Sequence, residues 1–159
     1  MTVYSNRSAL RLTDGMSTRA SAITALFVVA LILGGCASSL EAEKMPGVDL
    51  AGLKSFYVRK LPADGRGIER LIAAELTEMG KRATFGVGQQ PPYPVDAIVT
   101  YQDKWMWDMT MYMLELSVQV RDPENDVQLA SGHSMRTSLV RKSPEEMVKE
   151  VLSQIFSAR

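Results

Sequence analysis

The sequence predicts an α+β fold: a largely antiparallel sheet with two helices packed on one face, in the order β-α-β-β-β-α. Three observations carry this expectation. Two segments place apolar residues every three to four positions, whereas the stretch between them alternates with a period of two. Asp122-Pro123-Glu124-Asn125-Asp126 is turn chemistry joining two alternating arms. Ser143-Pro144-Glu145-Glu146 carries the marks of a helix start.

Taken in order, residues 37–52 read as a tether. Ala37-Ser38-Ser39 is small and polar, Glu41 to Lys44 is charged, and Pro46-Gly47 is a breaker pair. Ser55-Phe56-Tyr57-Val58-Arg59, stopped by Pro62, is the first expected strand. From Gly67 to about Arg82, Ile68, Leu71, Ile72, Leu76 and Met79 form one helical stripe, leaving Glu69, Arg70, Glu75 and Glu78 mostly for water. The Gly- and Pro-rich segment from Phe85 to Pro94 reads as a loop. Val95 to Trp107 is rich in strand formers. Tyr112, Leu114, Leu116, Val118 and Val120 then alternate with Met113, Glu115, Ser117 and Gln119, as in a half-buried strand. Leu116 and, on the last helix, Val151 are expected in the core, with Glu115 and Gln119 exposed. Val127 to Ser138 returns as the second arm of the hairpin. Ser143 caps the last helix, Pro144 suits its first position, and Glu146 completes a capping box. Met147, Val148, Val151, Leu152, Ile155 and Phe156 supply its apolar face.

The N-terminal segment has a different character. Arg7, Arg11 and Arg19 precede an apolar stretch from Ala20 to Leu33. Its length falls within the roughly 7–15 residues of a secretory signal and short of the roughly 20 that span a bilayer. Met16 offers a second, more ordinary start for such a leader. The stretch ends in Leu33-Gly34-Gly35-Cys36, and Cys36 is the chain's one cysteine. This pattern resembles the lipobox of bacterial lipoproteins. The resemblance implies cleavage of residues 1–35, covalent lipid (palmitate among the acyl chains) on Cys36, and a lipid anchor in the membrane. Ala37 in place of an acidic residue after the cysteine implies export to the outer membrane, with the domain facing the periplasm.

The chain carries 18 basic and 18 acidic residues. Loss of Arg7, Arg11, Arg19 and Asp14 with the leader leaves 15 against 17, a net charge of −2. Such a near-neutral chain offers no electrostatic case for nucleic acid. Residues 53–159 suit one domain with a single core. With Cys36 lipidated no internal disulfide forms, so packing alone stabilises the fold.

The mature chain also resembles Gram-negative lipoproteins grouped as domain of unknown function 4136. The resemblance rests on Leu53-Lys54-Ser55-Phe56-Tyr57, Val95-Asp96-Ala97-Ile98-Val99-Thr100-Tyr101, a hairpin arm ending Val118-Gln119-Val120-Arg121-Asp122, and the closing amphipathic helix. It covers most of residues 50–157 and implies no catalytic residue.

No nucleophile-elbow, zinc-protease, phosphate-loop or dinucleotide fingerprint is present. His133 is the sole histidine, and a lone histidine on a strand is ordinarily structural. Asp103 and Asp108 flank the two tryptophans, where solvated surface acids are the simpler reading than an acid/base pair. An enzyme is not expected, and no cofactor beyond the lipid.

The unusual segment is Trp105-Met106-Trp107-Asp108-Met109-Thr110-Met111-Tyr112-Met113. In an unbroken strand Trp105, Trp107, Met109, Met111 and Met113 share one face, opposite Tyr112 and Leu114 and therefore away from the helices. An exposed apolar patch of that kind marks a binding surface, here for an envelope protein partner, a peptide or lipid. Thioethers are also soft ligands, and Met109, Met111 and Met113 with His133 offer an alternative Cu(I) or Ag(I) set. Asp108-Met109-Thr110-Met111 beside Trp107 is locally similar to the Trp/Met site of periplasmic copper-silver chaperones, although the tryptophan and histidine spacings differ. A bulge or turn near Asp108 would instead switch the faces and bury much of the patch.

Overall fold

The computed structural model describes residues 38–158. The expected leader, Cys36 and Ala37 lie outside the described residues. The described chain is α+β, a mixed six-stranded sheet with two helices. The strands are β1 (Ser39–Lys44), β2 (Ser55–Arg59), β3 (Arg82–Gly86), β4 (Ala97–Asp108), β5 (Thr110–Arg121) and β6 (Gln128–Met135). The helices are α1 (Ile68–Glu78), between β2 and β3, and α2 (Pro144–Ser157), after a 3₁₀ turn at Ser138–Val140. The sheet order is β1-β6-β5-β4-β2-β3.

Two strands depart from expectation. Ser39–Lys44 is no tether but an edge strand paired antiparallel with β6 along its length. Its alternation is short yet sufficient: Leu40 and Ala42 pack against the core while Glu41 and Glu43 face water. The second is β3, in a segment divided at sequence level between helix end and loop. Gly80, at φ 80°, stops α1 early. Its N–H bonds the Thr77 carbonyl (2.9 Å) and the Lys81 N–H bonds the Leu76 carbonyl (3.0 Å), the two bonds of a glycine-terminated helix. The freed residues pair parallel with β2, which itself pairs parallel with β4. The sheet is therefore mixed rather than largely antiparallel, because β2-α1-β3 is a parallel unit that needs a helical crossover.

The core joins Phe56, Val58, Ile72, Leu76, Val99, Leu116, Val118, Val120, Val151, Leu152 and Ile155 in one cluster. Leu116 and Val151 are fully buried as expected. Glu115 and Gln119 are half-buried rather than exposed: Lys104 pairs with the first, and Arg121 donates to the second. Gly132 on β6 lies so close to α2 that an added Cβ would meet Ile155 Cγ1 at 2.7 Å and Val151 Cγ1 at 2.9 Å. The helix therefore sits down on the strand because that position has no side chain. The capping box of α2 is formed, Ser143 Oγ accepting from the Glu146 N–H (3.2 Å) and Glu146 Oε2 from the Ser143 N–H (2.8 Å).

Candidate interaction surface at the hairpin tip

The β4–β5 hairpin is longer than its neighbours. β2 pairs with β4 only as far as Val99, and β6 pairs with β5 only from Glu115 onward. Among the described residues, 105–113 thus form a two-stranded ribbon with no strand beside it. Lys104 pairs with Glu115 but Trp105 pairs with Met113, so Leu114 is the extra residue of a bulge on β5. The turn itself is tight. Asp108 pairs with Thr110, and Met109 between them has φ 58°.

The bulge corrects the expected arrangement. It turns Met113 into the core, where it is 1% exposed, and Trp105 packs half-buried against that core. Cross-strand pairing puts Trp107 and Met111 on the same face of the ribbon, which is the face of Met113 and of the core rather than the opposite one. Among the described residues, however, nothing covers them. Trp107 is 68%, Met109 88% and Met111 48% exposed. Five residues read as one patch thus divide into a buried foot, Trp105 and Met113, and an exposed tip.

Cations brace the tip. The Arg66 guanidinium lies 4.2 Å from the Trp105 ring centre, and Trp105 Nε1 donates to Asp103. Arg141 stacks over Tyr112 at 4.4 Å while donating to Thr110 Oγ1 (2.7 Å), the Asp108 carbonyl (2.8 Å) and Asp108 Oδ2 (3.1 Å). The segment carrying Arg141 is itself held to α2, since Arg136 and Lys142 both donate to the Glu150 carboxylate. Burial alone would raise that carboxyl, but the donors from Lys142, Ser134 and Arg136 outweigh it and hold it below the ordinary range.

Other sequence candidates do not converge. His133 pairs across β6 with Ser117 on one side and Glu41 on the other, its Nδ1 3.0 Å from Ser117 Oγ. Ser117 lies on the order of 20 Å along β5 from Met111. Met109, Met111, Met113 and His133 therefore do not gather around one ion. Asp103 is engaged by Trp105 and Asp108 by Arg141, some five strand positions apart, so the two acids form no acid/base pair.

A polar cluster that sequence reading missed lies beneath β4. The Asp64 carboxylate, 6% exposed, accepts from the N–H groups of Arg66 (2.6 Å), Gly67 (3.0 Å) and Ile68 (2.8 Å) and from the Tyr101 hydroxyl (2.7 Å). It caps α1 in place of the N-cap residue Gly67, which has no side chain to do so. Glu69 beside it is 1% exposed rather than turned to water, 3.4 Å from Lys60 Nζ and 3.6 Å from Arg70 Nε. An aspartate ahead of a helical stripe was the available signal. Its tie to Tyr101, far along the chain, was not readable.

No family model and no curated protein matches the chain. The fold is similar to two solved structures of the PelC dodecamer from Paraburkholderia phytofirmans. The TM-scores are 0.56 and 0.55 at 17% and 16% identity, each over 77% of this chain and 99% or 100% of that one. At such identity the likeness is one of fold alone. TolB from Acinetobacter baumannii is weaker, with a TM-score of 0.44 at 17% identity over 76% of this chain and 31% of that one.

Proposed function

We propose that the chain is a lipoprotein anchored in the outer membrane through lipid on Cys36, and that its periplasmic domain works by binding rather than catalysis. In this reading residues 1–35 are removed and both helices cover one face of the sheet. The second face and the hairpin tip remain for envelope partners. One observation carries the binding reading: Trp107, Met109 and Met111 stand exposed at the tip of a braced ribbon of which only the foot joins the core. Trp and Met are favoured at interaction surfaces, and an apolar cluster held in place by Arg141 is pre-organised for one.

The test is Trp107→Ala combined with Met111→Ala. Removing exposed apolar groups opens no cavity, so the melting transition is expected to stay nearly unchanged, within about 1 kcal/mol. Photo-crosslinks from the ribbon to envelope components, protein or lipid, are expected to disappear. Unfolding of the double variant would show that the tip belongs to the core and would remove the reading.

A further inference from the structure

We propose that the hairpin tip inserts into the surface of the same bilayer that holds the lipid anchor. The inference rests on the lipidated Cys36 of the preceding section and names the occupant of the tip, a phospholipid surface.

β1 opens at Ser39. Ser39 pairs with Met135, Met135 with Glu115, and Glu115 with Lys104. This row is the level at which the bare ribbon begins. β1 is antiparallel to β6, which is antiparallel to β5, so β1 and β5 run in the same direction. β5 runs away from the tip, and so does β1. Ser39, the first residue of β1, therefore lies at the end of the sheet from which the tip projects.

Distances then constrain the anchor. Two residues, Ala37 and Ser38, separate Cys36 from Ser39, and the three Cα–Cα steps between them span about 11 Å at most when fully extended. The ribbon from Glu115 to Met109 projects about 17–20 Å beyond the same level. With upright strands, a bilayer close enough to receive the Cys36 lipid meets the tip first. The tip overreaches the anchor by at least about 6–9 Å, enough to reach the roughly 5–10 Å depth to which interfacial segments sink into the headgroup and acyl boundary. Because β1 occupies the segment expected to be a tether, no long linker lets the domain stand off.

The tip has the chemistry such a surface takes. Among the described residues, exposed large apolar side chains concentrate here: Met106, Trp107, Met109 and Met111 on the ribbon, with Leu139 and Val140 on the turn beside it. Between Trp105 and Met113 the one formal charge is Asp108, and Arg141 neutralises it. Trp is at home at the membrane–water boundary, with its ring in the apolar zone and its N–H toward polar groups. Met109 adds a further sign. Its backbone is left-handed, where Gly or Asn would be relaxed, yet the position carries the most exposed large apolar side chain of the described residues.

The experiment uses the mature protein isolated from membranes and reconstituted on phosphatidylethanolamine–phosphatidylglycerol vesicles, with Trp105→Phe leaving Trp107 as the sole indole. Mass spectrometry of the Cys36 peptide first reports the lipid. Trp107 emission is then expected to shift to the blue, to be lost when the acyl chains carry bromine, and to resist aqueous acrylamide. Met109→Asp suits the left-handed backbone and places a charge on the tip. It is expected to reopen Trp107 to acrylamide with the melting transition unchanged. A lipidated protein whose Trp107 is reached by acrylamide and untouched by brominated chains would overturn this inference alone. A Cys36 peptide without lipid would overturn the anchor reading and this inference with it.

Discussion

Asp64→Ala is expected to cost about 3 kcal/mol or more, because one carboxylate satisfies three backbone N–H groups and the Tyr101 hydroxyl. Each buried donor left without a partner costs roughly 1–3 kcal/mol, and α1 also loses its cap. The loss should appear as a lowered urea midpoint, with Asp64→Asn intermediate because an amide retains one acceptor oxygen. The same site sets a pH dependence. Burial pushes the Asp64 carboxyl up, but hydrogen bonds from Tyr101 and the backbone N–H groups of Arg66 and Ile68 win and bring it down to about 2 from the ordinary 3.8. A depressed acid stabilises the fold above its unfolded value and loses that contribution as protons bind. About 2 kcal/mol is therefore expected to vanish between roughly pH 4 and pH 2, and the loss should be absent in Asp64→Ala. Tyr101 acts at the other extreme. Burial and its bond to Asp64 raise the phenol, so its stabilising contribution is complete below about pH 10 and falls above it.

Leu116→Ala is expected to cost about 2–5 kcal/mol, since the side chain is fully buried in the centre of β5 and its loss leaves a cavity. Gln119→Ala, three positions along, is expected to stay within roughly 0.5 kcal/mol, with only its hydrogen bonds from Arg121 removed. Urea denaturation of both variants checks the strand register. Equal effects would mean that β5 presents the other face to the helices.

The elements that could be read from sequence are those whose local chemistry and tertiary role agree. The capping box of α2, the alternation of β5 from Leu116 to Val120, and the Asp122 turn each form as their residues dictate. β1 and β3 escaped because each is short and turns few apolar side chains inward, so their pairing depends on distant partners. The Trp/Met segment shows the same limit at finer scale. Its residues announced an apolar face, but the bulge at Leu114 decides which members are buried, and a bulge is a backbone choice made in the assembled sheet. Met113 therefore belongs to the core while Met111, two residues away, does not. The tie of Asp64 to Tyr101 was silent for a related reason: the two meet only when β4 lies over the start of α1.

Lipid on Cys36 is what the anchoring requires, and membrane fractionation tests it most directly. A single acyl chain binds marginally, at about 0.8 kcal/mol per buried CH₂, whereas two or more hold stably. The wild-type protein is expected to remain with the outer-membrane fraction through high-salt washing, and Cys36→Ser to lose lipid and the lipoprotein-specific cleavage. Recovery of the wild-type protein in the soluble periplasmic fraction would contradict the account.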